Sequence, residues 1–398
     1  MPQGDYYLPD VPQDAEPGEL IVDLRERPLV EAALRDLGVI VTRDGEVEPF
    51  DLAKLKLDYG ESMFPGLTFK MEIDPVLFEL RRRFAARCGG WVPLLGKNRT
   101  LNNQFGAYPQ TQSQATNFDP EVADRPASAA DPAAGRGVRV GVLDTKLYRH
   151  PDLDGHYETP RRDTTFDIPG RDTENPWENG HATFVAGMIL AQAPAATLVV
   201  RDVLDSAGRA TAWDMVVELA EFLDDGIDVL NLAIGTRAQD GLCPMIVQRA
   251  VERLSPHMVI VAAAGNHGEI PGIRNGLART SPTWPAALTG VVAVGATTVD
   301  GLPATYSPDL PWVTCTALGD DVISTYLSGK VTLRSGLVKD FDGYALWKGT
   351  SFATATVSGA IAARTRPGEV TATGAFHSAL AAGDVVKGFT WRDENLFT

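Results

Sequence analysis

Apolar residues arrive along this chain in two patterns. From about residue 138, short unbroken runs of Val, Ile, Leu and Ala recur at Val138–Leu143, Thr197–Val203, Val229–Ile234, Val259–Ala264 and Val291–Ala296. Between and after them, Ala182–Ala191, Trp213–Leu223, Pro244–Leu254 and Phe352–Arg364 space their apolar residues as helices do. Strands with no polar alternation are buried on both faces, so the pattern predicts a doubly wound, mainly parallel α/β sheet covered by helices. Ligands of such sheets bind at the carboxyl ends of the strands. Residues before 97 are patterned differently. Glu19–Leu24 reads as a strand, Arg27–Leu37 as a helix (Leu29, Ala32, Ala33, Leu34, Leu37), Val39–Thr42 as a strand and Pro75–Cys88 as a second helix. That predicts a small α+β unit.

The stretch between the two is polar and rich in turn formers. It holds Asn102, Asn103, Gln104, Gln110, Gln112, Ser113 and Gln114, then Ala, Pro, Asp and Gly from Pro126 to Gly137. Such composition predicts a linker. The expected organisation is a small α+β domain over 1–96, a linker over 97–136 and the large α/β domain over 137–398.

A length of 398 residues with 44% apolar content allows two or three domains with ordinary cores. The net charge of −16 repels phosphate backbones and excludes nucleic acid as the expected partner. Cys88, Cys243 and Cys315 show no C-x-x-C spacing, so they are expected to be buried thiols and not a zinc site or disulfide framework. No apolar run reaches the ~18 residues of a membrane helix. The opening Met-Pro-Gln-Gly-Asp-Tyr-Tyr lacks the basic and apolar regions of a signal peptide. A cytoplasmic protein with no membrane partner is expected.

Four residues stand where chemistry could occur. Asp144 closes the run Val138–Leu143. A strand-end Asp more often caps a turn. His181, in Asn179-Gly180-His181-Ala182-Thr183, opens a helix, where a surface role is as common as a functional one. Ser351, in Gly349-Thr350-Ser351-Phe352-Ala353, sits at a helix start among free N–H groups, and a plain N-cap is the ordinary reading. Asn266, in Ala264-Gly265-Asn266-His267-Gly268, ends a strand and could donate into the same cleft or simply form a turn.

Taken in order, Asp, His, Asn and Ser fall on four motifs that resemble those of the subtilisin-like serine peptidases. Val140 through Thr145 resembles the family's Asp motif, His181 through Gly187 its H-G-T-H-V-A-G, Ala263 through Gly268 its Asn motif and Gly349 through Ala353 its G-T-S-M-A. His150-Pro151-Asp152-Leu153 and Asn231 through Gly235 are similar to further landmarks, and the likeness spans about residues 136–366. It implies a serine endopeptidase. Ser351 would be the nucleophile, His181 the base, Asp144 its orienting carboxylate, and Asn266 with the Ser351 N–H the oxyanion donors. A peptide substrate would lie as an added strand beside Ala233, Ile234 and Gly235 and beside Gly208, Arg209 and Ala210. The first specificity pocket would be walled by Ala262, Ala263, Ala264 and Gly265. Thr283, where many relatives carry glycine, would be its floor and would favour small or medium apolar residues. By placement the first domain is similar to a propeptide, hence a possible intramolecular chaperone or inhibitor.

Three departures stand out. Lys146 replaces the usual glycine, Phe184 the second His of its motif and Ala355 the usual proline; none removes a catalytic atom. Residues 182–197 lack the Asp/Asn-rich insert that cages calcium in many relatives, leaving Asp152 as a lone ligand type. No metal and no cofactor is expected. The competing reading is a peptide-binding pseudoprotease that captures strands without cutting them. A relative using Glu in place of the His is disfavoured by His181.

Overall fold

The structure is a computed structural model that describes residues 15–58, 73–103, 118–127, 130–159, 165–166, 175–205, 209–238, 240–269, 273–274, 277–383 and 385–387. The N-terminal part runs β1 (Ala15–Asp23), α1 (Arg27–Asp36), β2 (Ile40–Val47), β3 (Leu52–Asp58), α2 (Ile73–Arg87) and β4 (Leu95–Asn103). The large part begins with β5 (Arg139–Asp144), β6 (Tyr157–Glu158), α3 (His181–Gln192), β7 (Thr197–Asp202) and β8 (Arg209–Thr211). It continues through α4 (Ala212–Glu221), β9 (Val229–Leu232), β10 (Ile234–Gly235), α5 (Met245–Leu254), β11 (Val259–Ala263) and β12 (Val291–Thr297). It ends with β13 (Cys315–Leu318), β14 (Val322–Thr332), β15 (Val338–Trp347), α6 (Thr350–Arg364), α7 (Ala372–Ala382) and β16 (Val386–Lys387).

The central sheet has the order β16-β13-β12-β11-β9-β5-β7-β6. Seven of these strands are parallel, and only β16 runs against its neighbour. Every residue of β9 and β12 is buried, as unbroken apolar runs require. Helices α3 and α6 cover one face together with the β14–β15 hairpin, and α4 and α5 cover the other. A capping box opens α4: Thr211 accepts from the Asp214 N–H, and Asp214 accepts from the Thr211 N–H.

The N-terminal part is an antiparallel sheet ordered β4-β1-β3-β2, with α1 and α2 packed on one side over Leu20, Leu34, Leu55, Val76 and Leu80. Its other side is covered in part. Ile21, Val47, Phe50, Leu52 and Leu101 join the core made by α4 and α5.

Three expectations change. The segment expected to be linker opens as strand, because Lys97–Asn103 belongs to β4. The remainder of that segment is described only from residue 118 onward, apart from 128–129. Strands β3, β6, β13 and β16 and the β14–β15 hairpin add to the strands that the sequence pattern predicts. And only Cys315 is buried, while Cys243 is partly exposed and Cys88 exposed.

Candidate active site

Asp144 is the last residue of β5 and His181 the first of α3; both are wholly buried. The His181 Nδ1 lies 2.7 Å and 2.9 Å from the two Asp144 carboxylate oxygens. A carboxylate only accepts, so Nδ1 carries the hydrogen and the neutral ring keeps its lone pair on Nε2. The Thr145 N–H also donates to Asp144 Oδ1 at 2.6 Å, and Thr145 Oγ1 accepts from the Ala182 N–H at 3.0 Å. One residue thus ties the strand end to the helix start. Gly180, just before His181, has no room for a side chain: a Cβ there would lie 2.0 Å from the Tyr326 ring. That ring is itself fixed by its hydroxyl, which donates to the Trp177 carbonyl at 2.7 Å. The imidazole is flanked by Trp347 (centroids 5.8 Å apart, nearly perpendicular) and Phe352 (5.4 Å).

Ser351 lies in the first turn of α6, one residue inside the helix, and Gly349 holds the N-cap position. It is therefore not the cap. Its hydroxyl donates to the Ala233 carbonyl at 3.1 Å. A serine has one hydroxyl hydrogen, so this rotamer offers none to His181.

Asn266 follows the end of β11. Its Oδ1 accepts from the Thr350 N–H at 2.9 Å and from Thr350 Oγ1 at 3.0 Å. A backbone N–H only donates, which fixes the amide orientation and turns Nδ2 the other way. Nδ2 lies on the Gly349 side, 3.5 Å from where a Cβ on that glycine would stand. Thr350, to which the sequence pattern gives no role, is the residue that aims this carboxamide.

The strand edges beside these groups are paired by the chain itself. Strand β4 lies antiparallel between β8 and β10, with Arg209 opposite Asn102, Ala210 opposite Leu101 and Thr211 opposite Thr100. On its other edge Ile234 faces Asn103 and Gly235 faces Asn102. Leu101 is wholly buried. Thr236 Oγ1 donates to the Thr100 carbonyl at 3.1 Å. Ala262, Ala263, Ala264 and Thr283 are also wholly buried, and Thr236 exchanges two backbone hydrogen bonds of 2.8 Å with Trp284. Of the segments expected to hold substrate, Gly208 lies outside the described residues.

Residues 135–367 match the sequence model of the Subtilase family, well over half of the chain. The chain belongs to the subtilase family. It is a subtilisin-like serine peptidase. Subtilisin BL of Lederbergia lenta is 32% identical over 237 residues, 57% of this chain and 76% of that protein. The thermophilic serine proteinase of Bacillus sp. strain AK1 is 30% identical over 357 residues, 86% of this chain and 76% of that protein. The intracellular serine protease of Paenibacillus polymyxa is 29% identical over 240 residues, 57% of this chain and 66% of that protein.

Within this subtilase, the Phe184 ring packs at a tilt against Phe352 (centroids 4.3 Å apart, 43° between planes), the phenylalanine that touches His181. Asp152 is engaged on both oxygens, by Arg125 at 2.7 Å and by the Tyr344 hydroxyl at 2.8 Å. Among the described residues no group of three or more His, Cys, Asp or Glu is placed to hold a metal, and no helix is long and apolar enough to cross a membrane.

Proposed function

We propose that this subtilase is an endopeptidase in which Ser351 attacks the scissile carbonyl, His181 moves the proton, Asp144 orients the ring, and Asn266 stabilises the oxyanion. The observation that carries the reading is the buried Asp144–His181 contact of 2.7 Å, which sets the tautomer a general base needs. When a substrate strand takes the Ala233 carbonyl with its own N–H, the Ser351 hydroxyl is released and turns to His181 Nε2. The hydroxyl proton passes to Nε2 as the Oγ–carbon bond forms, and His181 then gives it to the departing amine. The negative oxygen is met by Asn266 Nδ2 and the Ser351 N–H at the start of α6.

The reading extends to the N-terminal part, residues 1–96 and the strand that follows. Strand β4 stands where a substrate strand would pair, so the intact chain is latent or slow, and residues 1–103 act as its own inhibitor and folding partner. The substrates are proteins or peptides that bind as extended strands. A cytoplasmic location belongs to the same reading, supported by the relative that is named intracellular. Cell fractionation checks it.

Ser351→Ala and His181→Ala should each abolish peptide hydrolysis, and the two losses should not add, because the residues work as a unit. Labelling of the wild-type protein by a fluorophosphonate, absent in Ser351→Ala, separates this reading from a strand-capturing pseudoprotease. Hydrolysis that survives in folded, pure Ser351→Ala would sink it.

A further inference from the structure

Asp144 holds the His181 ring at one atom and leaves its direction open. The Nδ1 hydrogen is shared between two carboxylate oxygens at 2.7 Å and 2.9 Å. Near-equal sharing lets the ring turn from one oxygen toward the other, and each turn carries Nε2 sideways. A general base must keep its lone pair within hydrogen-bond reach of the proton it takes. Another contact has to hold the ring. Trp347 is placed for that. It is the last residue of β15 and is 2% exposed, and its ring stands at 88° to the imidazole with centroids 5.8 Å apart. It is itself wedged among Trp177, Phe184, Tyr326 and Phe352, at centroid distances of 5.7, 5.5, 5.6 and 5.0 Å. Its indole N–H donates to the Phe118 carbonyl at 2.6 Å. An indole side chain has only that one polar atom, so this bond sets which way the ring lies within the apolar cluster.

Phe118 belongs to the segment whose composition reads as linker, yet it is built into the large part. Its ring is 5% exposed and packs against Tyr306 (centroids 5.1 Å apart, 70° between planes). Asp119 accepts from the Arg334 N–H at 2.9 Å. Glu121 and Val122 pair with Leu346 and Ala345, the two residues just before Trp347. Arg125 is bonded to Asp152. The segment is fastened along its length, so its carbonyl is a fixed anchor for the indole.

Resting on the hydrolase reading above, we infer that Trp347 is a positioning residue for the reaction. The Phe118 carbonyl, through the indole N–H, keeps Trp347 against His181, and Trp347 keeps Nε2 aimed at Ser351. Residues 118–125 therefore belong to the working enzyme, and only the chain before them can be removed without loss of activity.

Trp347→Phe keeps an aromatic ring and deletes the N–H. The full chain is expressed and used in whatever processed form it yields, with peptide p-nitroanilides that carry Ala, Leu, Gln or Phe before the leaving group. Active sites are counted by fluorophosphonate labelling, so misfolded protein does not enter the rate. In Trp347→Phe, kcat per site should fall by at least about tenfold with KM little changed. Phe118→Ala unseats the carbonyl from its place beside Tyr306 and should lower kcat in the same direction. The double variant should be no worse than Trp347→Phe, since both changes act through one bond. Unchanged kcat per site in folded Trp347→Phe would overturn the proposal. So would losses that add, or an active species whose intact mass shows that it begins beyond Phe118. If Trp347→Phe does not fold, Phe118→Ala decides by the same kcat reading. If wild type cuts none of the peptides, the hydrolase reading fails, and the positioning is judged by the far-downfield proton resonance of the His181 Nδ1–H, identified by its loss in His181→Ala. That signal should shift or broaden in Trp347→Phe, or in Phe118→Ala where Trp347→Phe does not fold; a signal unchanged in place and width would end the proposal.

Discussion

Asn266 shows how one side chain is made ready for a role by its neighbour. Both acceptor sites of Oδ1 are taken by Thr350, which lies next to Ser351, so the donor end of the carboxamide is pinned relative to the serine. Such preorganisation is what an oxyanion donor needs, because no reorientation is required as charge develops. Asn266→Ala should lower kcat by about 10²–10³ with KM little changed, the size of loss that subtilisin itself shows for its own oxyanion asparagine. Thr350→Val should lower kcat as well, by less, since it removes one of the two bonds that hold Oδ1 while the backbone N–H keeps the other. Steady-state kinetics on the two variants checks both. Asn266→Ala with unchanged kcat would remove it from the oxyanion site. At this scale much is legible in the sequence. Asp144, His181, Asn266 and Ser351 each stand at a strand end or helix start in small-residue surroundings. The residues that hold them are silent, because a Thr that fastens a neighbour (Thr145, Thr350) looks like any other Thr until the chain folds.

Among the elements, β4 carries most of the consequence and is the least legible. Its residues Lys97-Asn98-Arg99-Thr100-Leu101-Asn102-Asn103 are mostly polar, which is why they read as linker. They form a strand because both edges find partners: β1 and β8 on the two sides, with β10 beyond. Polar side chains at this seam are also satisfied by the folded whole. Asn98 is wholly buried, donates to Glu19 at 2.6 Å and accepts from the Trp213 N–H at 2.9 Å, near the start of α4. Arg99 pairs with Asp240. None of these long-range partners can be seen in a local pattern. The β14–β15 hairpin is hidden for a related reason. Its residues alternate only in part, since Ser324 and Thr325 point inward to bond the Phe184 and Thr183 carbonyls of α3. Five of the seven parallel strands (β5, β7, β9, β11 and β12), by contrast, are legible nearly to the residue, because burial on both faces leaves an unbroken apolar run; the short edge strands β6 and β13 are not.

If β4 closes the cleft, weakening it should open the cleft. Leu101 is the apolar anchor of the strand, and burying a leucine contributes roughly 1.5–3 kcal/mol. Leu101→Asp in the full chain should raise peptidase activity by at least about tenfold, since about 1.4 kcal/mol is a factor of ten in occupancy of the closed state. An unchanged or lower rate, in protein whose far-ultraviolet circular dichroism is that of wild type, would show that β4 does not restrain the enzyme. The ion pairs across the same seam are weaker candidates. Arg253–Asp51 is partly exposed, and such pairs typically give ~0–1 kcal/mol. High salt alone should therefore not activate the protein, whereas loss of the leucine should.

The two parts of the whole molecule share one core: the N-terminal sheet contributes Ile21, Val47, Phe50, Leu52 and Leu101 to apolar packing that α4 and α5 would otherwise expose. Melting should then be a single transition, with inhibitor and enzyme unfolding together. Its dependence on pH follows from two buried histidines. Burial lowers both His150 and His267, the latter from 6.5 to about 3. A histidine whose folded value is depressed binds its proton in the unfolded chain before it does so in the native one. Between about pH 6.5 and pH 3 the unfolded state therefore holds more protons, and stability rises with pH across that window. The carboxylate of Asp51, lowered by its hydrogen bond to Arg25, acts in the same direction at more acid pH: its contribution is present above the ordinary carboxylate range and is lost as pH falls through the depressed value. The melting temperature should be flat above about pH 7.5 and should fall steadily from about pH 6.5 to pH 4, with a slope on the order of 1 kcal/mol per pH unit for His267. His267→Gln keeps a donor for the Ser281 carbonyl without the titrating ring, so it should flatten this slope while leaving the plateau near wild type. A variant that melts with the same acid slope as wild type would show that burial does not lower His267 in the folded protein.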